Sequence, residues 1–347
     1  MENRNRFLEL DAVRGLAALG VLIYHFTLNE KVREAGLIFS YGVTGVDIFF
    51  MISGFVIFLT IKKTKKWEDF AISRFSRLYP TFWTCVTLTG IFVLLYEPST
   101  FTLAQFAANL TMFPGYFGIE DLDGSYWTLL VELIFYFWIL IIFIYNGLNK
   151  IIPIALFSTI GIILFHFFAS YYSDLQWYAG KKLPLINHFP LFFSGILFYK
   201  IKFYGLSIKR LLLIIFCILS TFYLHDKGGR AYQVIFAVDH HFIILFYHGV
   251  FFLFVYGKLG FLIAKPLLYL GKISYSLYLL HQYIGLHLLE TFHDVLQLHI
   301  LTAMILSTIT CLGLAGIVTK YVEVPSINYI RNWYKKKTQT VSISNSE

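Results

Sequence analysis

Long apolar runs separated by short polar joints make up nearly the whole chain. Ten runs are of spanning length, near residues 8–27, 42–60, 79–96, 125–145, 151–171, 189–204, 211–224, 241–257, 267–289 and 299–319. The standard behind that reading is a hydrocarbon core about 30 Å thick, which takes roughly 20 mostly apolar residues per helix. The sixth and seventh runs are short. The stretch 103–117 is also short and is interrupted by Pro114 and Gly115, so it reads as a re-entrant or interfacial segment. The pattern predicts an all-α fold, a polytopic integral membrane bundle of about ten helices. One membrane domain, residues 1–337, fills the chain, and a polar tail at 338–347 (TQTVSISNSE) has the composition of a disordered segment. Arg4 and Arg6 ahead of the first run resemble the start of a secretory signal. Asp11 and Arg14 interrupt that run and no A-x-A pattern follows His25, so it reads as an uncleaved span.

Composition agrees with the pattern. The chain is 58% hydrophobic and only 14% charged, where ordinary globular chains are about 45–50% apolar and about a quarter charged, so lipid is its main solvent. The net charge of +8 would suit nucleic acid, but the basic residues fall in clusters between apolar runs, where topology explains them. With the N-terminus in the cytoplasm, 21 Lys and Arg fall in cytoplasmic segments, against six outside: Lys31, Arg33, Lys181, Lys182, Lys227 and Arg230. Both termini are therefore expected in the cytoplasm, in a multi-pass protein of the cell inner (cytoplasmic) membrane. The acidic loop with Glu120, Asp121 and Asp123 falls outside. Cys85, Cys217 and Cys311 stand singly without metal-ligand spacing, and His240 and His241 are adjacent and point apart, so no metal site is expected. There is no G-x-S-x-G elbow, no H-E-x-x-H and no Walker loop. Phe outnumbers Trp 37 to 6, a balance that suits packing in lipid more than sugar stacking.

The candidate chemistry lies in ionisable groups held within the runs, each costing about 2.5–3.5 kcal/mol on insertion scales when charged at the centre. They are Arg14, His25, Asp47, Glu132, His248 and His281. Arg14 and His25 are eleven residues apart, which on a helix places them on one face, about 16.5 Å apart along the axis. Arginine offers a permanently charged fork for phosphate, and histidine a base near neutral pH. The structural alternative is a snorkelling Arg14 paired with Asp11, and a His25 that bonds between helices. Arg74 and Arg77, three apart, can face one anion, or can simply mark a cytoplasmic helix end. Asp47 and Ser53 lie in a segment where Gly45 and Gly54 permit close helix approach. Glu132, just after Tyr126 and Trp127, needs a partner or a proton. His281, seven residues past Ser274, shares its face and suits either catalysis or polar packing.

Taken in order, these motifs resemble acyltransferase family 3, the membrane O-acyltransferases of cell-surface polysaccharides. The matching elements are Phe7 to Gly15 with the Arg-x10-His pattern ending at His25, Gly45 to Phe50 with Ser53-Gly54-Phe55, and Arg74-x-x-Arg77 before Tyr79-Pro80. Trp127-Thr128-Leu129 with Glu132, and Ser274 to His281, complete the set. The resemblance implies about ten spans, a cytoplasmic acyl-CoA donor, usually acetyl-CoA, with no permanently bound cofactor, and a glycan acceptor hydroxyl on the far side. It implies that His25 is the essential histidine, Arg14 its partner, and Arg74 and Arg77 the donor-side pair. The Gly-Asp-Ser signature of an added hydrolase-like domain is absent from the sequence, so a stand-alone membrane domain is expected.

The expected reaction moves an acyl group, most simply acetyl, from acyl-CoA to a hydroxyl of a cell-surface polysaccharide or lipid-linked glycan. His25 would serve as general base or be transiently acylated, with Glu132 or Asp47 orienting its ring. Tyr126, Trp127, Ser53, Ser274, His281 and Asp11 are substrate-binding or structural candidates. The competing readings are a transporter or flippase of a lipid-linked glycan, built on the same buried charges, and an O-succinyltransferase of an exopolysaccharide.

Overall fold

The computed structural model describes residues 6–228 and 231–344, so Arg4 and Arg230 lie outside the described residues. Fifteen α-helices follow one another among the described residues: α1 (Leu8–Phe26), α2 (Glu30–Glu34), α3 (Gly45–Ile61), α4 (Trp67–Tyr96), α5 (Leu103–Asn109), α6 (Trp127–Ile144), α7 (Ile151–Ala169), α8 (Ser173–Lys182), α9 (Leu185–Tyr204), α10 (Ile208–Leu224), α11 (Ala237–Val255), α12 (Lys265–Leu280), α13 (Tyr283–Glu290), α14 (Ile300–Val318) and α15 (Val324–Ser344). No strand occurs among those residues. Within them, six helical segments are long and apolar enough to cross a membrane, and these contain α3, α4, α6, α7, α11 and α14. The remaining expected runs form helices with a reason to fall short of that mark. α1 carries Glu9, Asp11 and Arg14 within 19 residues, α10 and α12 have 17 and 16 residues, and α9 carries Asn187, His188, Lys200 and Lys202.

In lipid the apolar face of a helix gains little from meeting another apolar face, so close backbone packing by small residues sets the helix pairs. Gly54 and Gly195 bring α3 and α9 into contact: a Cβ on Gly54 would collide with the Phe192 carbonyl oxygen, and one on Gly195 with that of Met51. α9 is buried over most of its length, and Phe192 stacks on Phe135 of α6 at 4.2 Å and on Phe50 of α3 at 5.0 Å. Gly15 and Gly271 do the same for α1 and α12, with the Asp11 carbonyl oxygen occupying the space a Gly271 side chain would need.

One expected span is corrected. Residues 267–289 form two helices, because α12 stops at Leu280 and α13 begins at Tyr283. Groups from the loop that leads into α6 hold the break. Asp123 accepts the Tyr283 backbone N–H at 2.9 Å and that of Ser125 at 2.8 Å, and the Ser125 hydroxyl donates to the Tyr278 carbonyl at 3.2 Å. A helix interrupted at membrane depth needs such replacement partners for its freed backbone groups. The expected 103–117 segment is the short helix α5 followed by a 3₁₀ turn, Pro114–Phe117. At the other end, α4 starts at Trp67 and runs 30 residues through Pro80, so Arg74 and Arg77 lie inside a helix. α15 packs along α4 and carries the backbone to Ser344; the last residues of the polar tail, 345–347, lie outside the described residues.

Candidate active site

Two cavities within the bundle adjoin one another. The first is lined by Arg14 of α1, Arg74 and Arg77 of α4, Ser53 of α3, Glu132 and Tyr136 of α6, and Ser274 and Tyr275 of α12, among others. The second is lined by His25, Asp47, Trp127, His188 and Gln282 among others. Val46 of α3 and Tyr278 of α12 line both. Arg14 and His25, on one face of α1, thus open into different cavities, one to each side of that shared wall.

The arginine cavity follows from α1 and α4 each packing against α12. Arg77 Nη1 is 3.6 Å from Glu323 Oε1, and Arg14 Nη1 is 3.6 Å from Asp11 Oδ1, with Asp11 also paired to Arg6. The Arg74 guanidinium lies 5.8 Å from the ring centres of both Phe70 and Tyr136, and its buried Nε has no hydrogen-bond partner. Glu132 accepts from the Ser53 hydroxyl at 2.5 Å. Three guanidinium groups against one lining carboxylate make this cavity a site for a multiply charged anion.

The imidazole of His25, which lines the second cavity, meets that of the buried His281, which caps the broken end of α12. His25 Nδ1 is 2.9 Å from His281 Nε2 and 3.0 Å from the Val21 carbonyl oxygen, and His281 Nδ1 is 2.8 Å from the Tyr278 carbonyl oxygen. A carbonyl oxygen only accepts, so a proton sits on each Nδ1, and the neutral His281 presents Nε2 as an acceptor to His25. In the neutral form of His25, that leaves Nε2 as the nitrogen without a proton. It is the atom a general base needs.

The other expected site residues divide by what they touch. Glu132 and Asp47, both expected near the His25 ring, are engaged elsewhere: Glu132 by Ser53, and Asp47 by His240 at 3.1 Å and His188 at 4.0 Å. The hydrogen bond that fixes the ring comes from His281 instead. Tyr126 bonds Thr89 at 3.0 Å and the Leu279 carbonyl at 3.4 Å, bracing the end of α12. Ser274 donates to the Gly271 carbonyl at 3.0 Å and Trp127 packs 5.4 Å from His188. His248 is tied to Ser194 at 2.9 Å and to the Ile244 carbonyl at 2.8 Å, a pairing between helices. His240 faces Asp47 while His241 stacks on Phe222 at 4.0 Å. Among the described residues, no three His, Cys, Asp or Glu side chains are arranged as metal ligands. Sequence reasoning missed the roles of Asp123 and Glu323. Both are acidic residues at the edges of apolar runs, where position alone reads as a solvated loop.

These features have a counterpart among known proteins. The model of the acyltransferase family 3 domain, described as "Acyltransferase domain", matches residues 7–321, and the chain belongs to this family. It is 28% identical over 314 residues to O-acetyltransferase OatA of Staphylococcus aureus, covering 78% of this chain and 49% of the relative. It is 33% identical over 97 residues to peptidoglycan O-acetyltransferase OatA of Listeria monocytogenes, covering 26% of this chain and 14% of that protein. The exopolysaccharide production protein ExoZ of Rhizobium meliloti is 29% identical over 108 residues, 30% of this chain and 33% of ExoZ. The chain spans about half the length of the Staphylococcus relative. No solved structure matches it.

Proposed function

We propose that the chain is a membrane O-acyltransferase that moves an acetyl group from cytoplasmic acetyl-CoA to a hydroxyl of a cell-surface polysaccharide or lipid-linked glycan. The observation that carries this reading is that His25, bonded to His281, lines a cavity that adjoins, across Val46 and Tyr278, a second cavity lined by three arginines. The donor's phosphates bind at Arg74 and Arg77, its pantetheine arm follows the Arg14 face of α1, and the thioester passes the shared wall to reach His25. As the acceptor oxygen bonds to the thioester carbonyl carbon, His25 Nε2 takes the hydroxyl proton. The carbon–sulfur bond then breaks, and the leaving coenzyme A thiolate recovers that proton from the imidazolium. His281 Nε2 accepts from His25 Nδ1–H throughout, holding the tautomer and stabilising the charge that builds on the ring. Glu132, bonded to Ser53, offsets part of the positive charge of the donor cavity.

This reading places the N-terminus in the cytoplasm and the protein in the cell inner membrane, with ten helical runs crossing it. Names of the relatives that mention O-acetyltransferase and exopolysaccharide production support the reaction class and a glycan acceptor. The test uses membranes containing the wild-type protein or His25→Ala, supplied with labelled acetyl-CoA and native glycan. Ester formation in the wild type, falling at least about a hundredfold in the variant, is expected. Equal ester in both contradicts the mechanism, and glycan movement without acylation points to a transporter.

A further inference from the structure

The turn of α4 that carries Arg74 and Arg77 also receives a third guanidinium, from a helix that closes the chain. Arg331 of α15 donates from Nε to the Ser76 hydroxyl at 3.3 Å and from Nη2 to the Ser73 hydroxyl at 3.2 Å. That same Ser73 hydroxyl accepts from Arg74 Nη2 at 3.2 Å. One serine oxygen therefore lies between two arginines. Glu323, in the π-helical turn just before α15, pairs with Arg77, so a single segment of chain touches both ends of the Arg74-x-x-Arg77 turn. Arg331 lies beyond residues 7–321, the stretch matched by the family model.

Three guanidinium groups meet at this turn with Glu323 paired to Arg77, a concentration of positive charge that favours a multiply charged anion. Arg74 and Arg77 line the donor cavity, and Arg331, which does not, reaches the same turn of α4 through Ser73 and Ser76. Coenzyme A carries its charges in two places: a pyrophosphate joined to the pantetheine arm, and a 3′-phosphate on the ribose, farther from the thioester. With the arm directed inward along Arg14, the pyrophosphate would meet the lining arginines, and the outer phosphate would fall beyond them, toward the groups that back the Arg74 turn.

We infer that Arg331 binds the ribose 3′-phosphate of the acyl-CoA donor, making the C-terminal helix α15 part of the donor site. The inference rests on the acyl-CoA reading above. Arg331 acts on binding alone and takes no part in the transfer step.

The test compares acetyl-CoA with 3′-dephospho-acetyl-CoA, using the full chain in proteoliposomes as wild type, Arg331→Ala and Arg331→Lys. For the wild type, KM is expected to be at least about tenfold lower for the phosphorylated donor, as for a charge-assisted contact. Arg331→Ala is expected to raise KM for acetyl-CoA to the level of the dephospho donor, while leaving kcat and the dephospho KM in place. Arg331→Lys recovers part of the discrimination. An Arg331→Ala protein that weakens both donors equally, or loses kcat with discrimination intact, overturns the inference in favour of a packing role. If wild type transfers acetyl from both donors without discrimination, the inference falls and the acyltransferase reading stands. If it transfers from neither donor, that reading fails, and binding of adenosine 3′,5′-bisphosphate by wild type but not by Arg331→Ala decides the phosphate site separately.

Discussion

His281 Nε2 faces His25 Nδ1 at 2.9 Å, so the imidazole that α1 presents is oriented by a second ring at the broken end of α12. The pair exists because α1 and α12 touch through Gly15 and Gly271, and because α12 ends where Asp123 can hold Tyr283.

If His281 orients His25, its removal acts on the rate and leaves donor binding alone. His281→Ala is expected to lower kcat by about a hundredfold with KM for acetyl-CoA nearly unchanged. His281→Gln, whose amide oxygen can still accept from Nδ1–H, recovers part of it. Steady-state kinetics on reconstituted protein check this, and a change in KM alone contradicts it.

The shared wall predicts a different signature. Val46→Phe enlarges the α3 side of the wall between the cavities, so transfer falls while coenzyme A still binds at the arginines. Equilibrium binding of coenzyme A, measured beside acetyl transfer, separates the two effects. Equal loss of both would show that the acyl group does not pass Val46.

The contact of α1 with α12 leaves no room for a methyl group. Gly271→Ala is expected to cost about 1–3 kcal/mol of stability, as overpacking does, and to lower activity beyond that by parting the two histidines. Thermal unfolding in detergent, compared with Gly313→Ala where the added Cβ meets nothing within 4 Å, isolates the steric term.

The carboxylate that holds the helix break is expected to matter as much as a catalytic group. Asp123→Asn keeps the shape but replaces a charged acceptor, and the loss is on the order of 1.5 kcal/mol, with kcat falling as His281 loosens. Activity that survives at wild-type level would mean that Tyr283 finds another partner.

Much of this was legible in the sequence. The apolar runs located the helices because lipid imposes length and apolarity on each one, and the charged residues inside them stood out because of what they cost. Arg14 and His25 on one face, and Arg74 beside Arg77, follow from helical periodicity alone. The partner of His25 did not follow. His281 is brought to it by an interhelical approach and a helix break, neither of which leaves a periodic trace, and residues 267–289 read as one unbroken run. Asp123 and Glu323 were likewise hidden, since an acidic residue at the end of an apolar run has the same local pattern whether it is solvated or folded inward.

The most direct measurement is sided. Sealed proteoliposomes of uniform orientation, with labelled acetyl-CoA confined to the face where α1 begins and a glycan acceptor confined to the other, ask whether the two cavities are stations on one path. Label on the acceptor across an intact bilayer, abolished in His25→Ala, is the expected result. Transfer that occurs only when donor and acceptor share a compartment would contradict it.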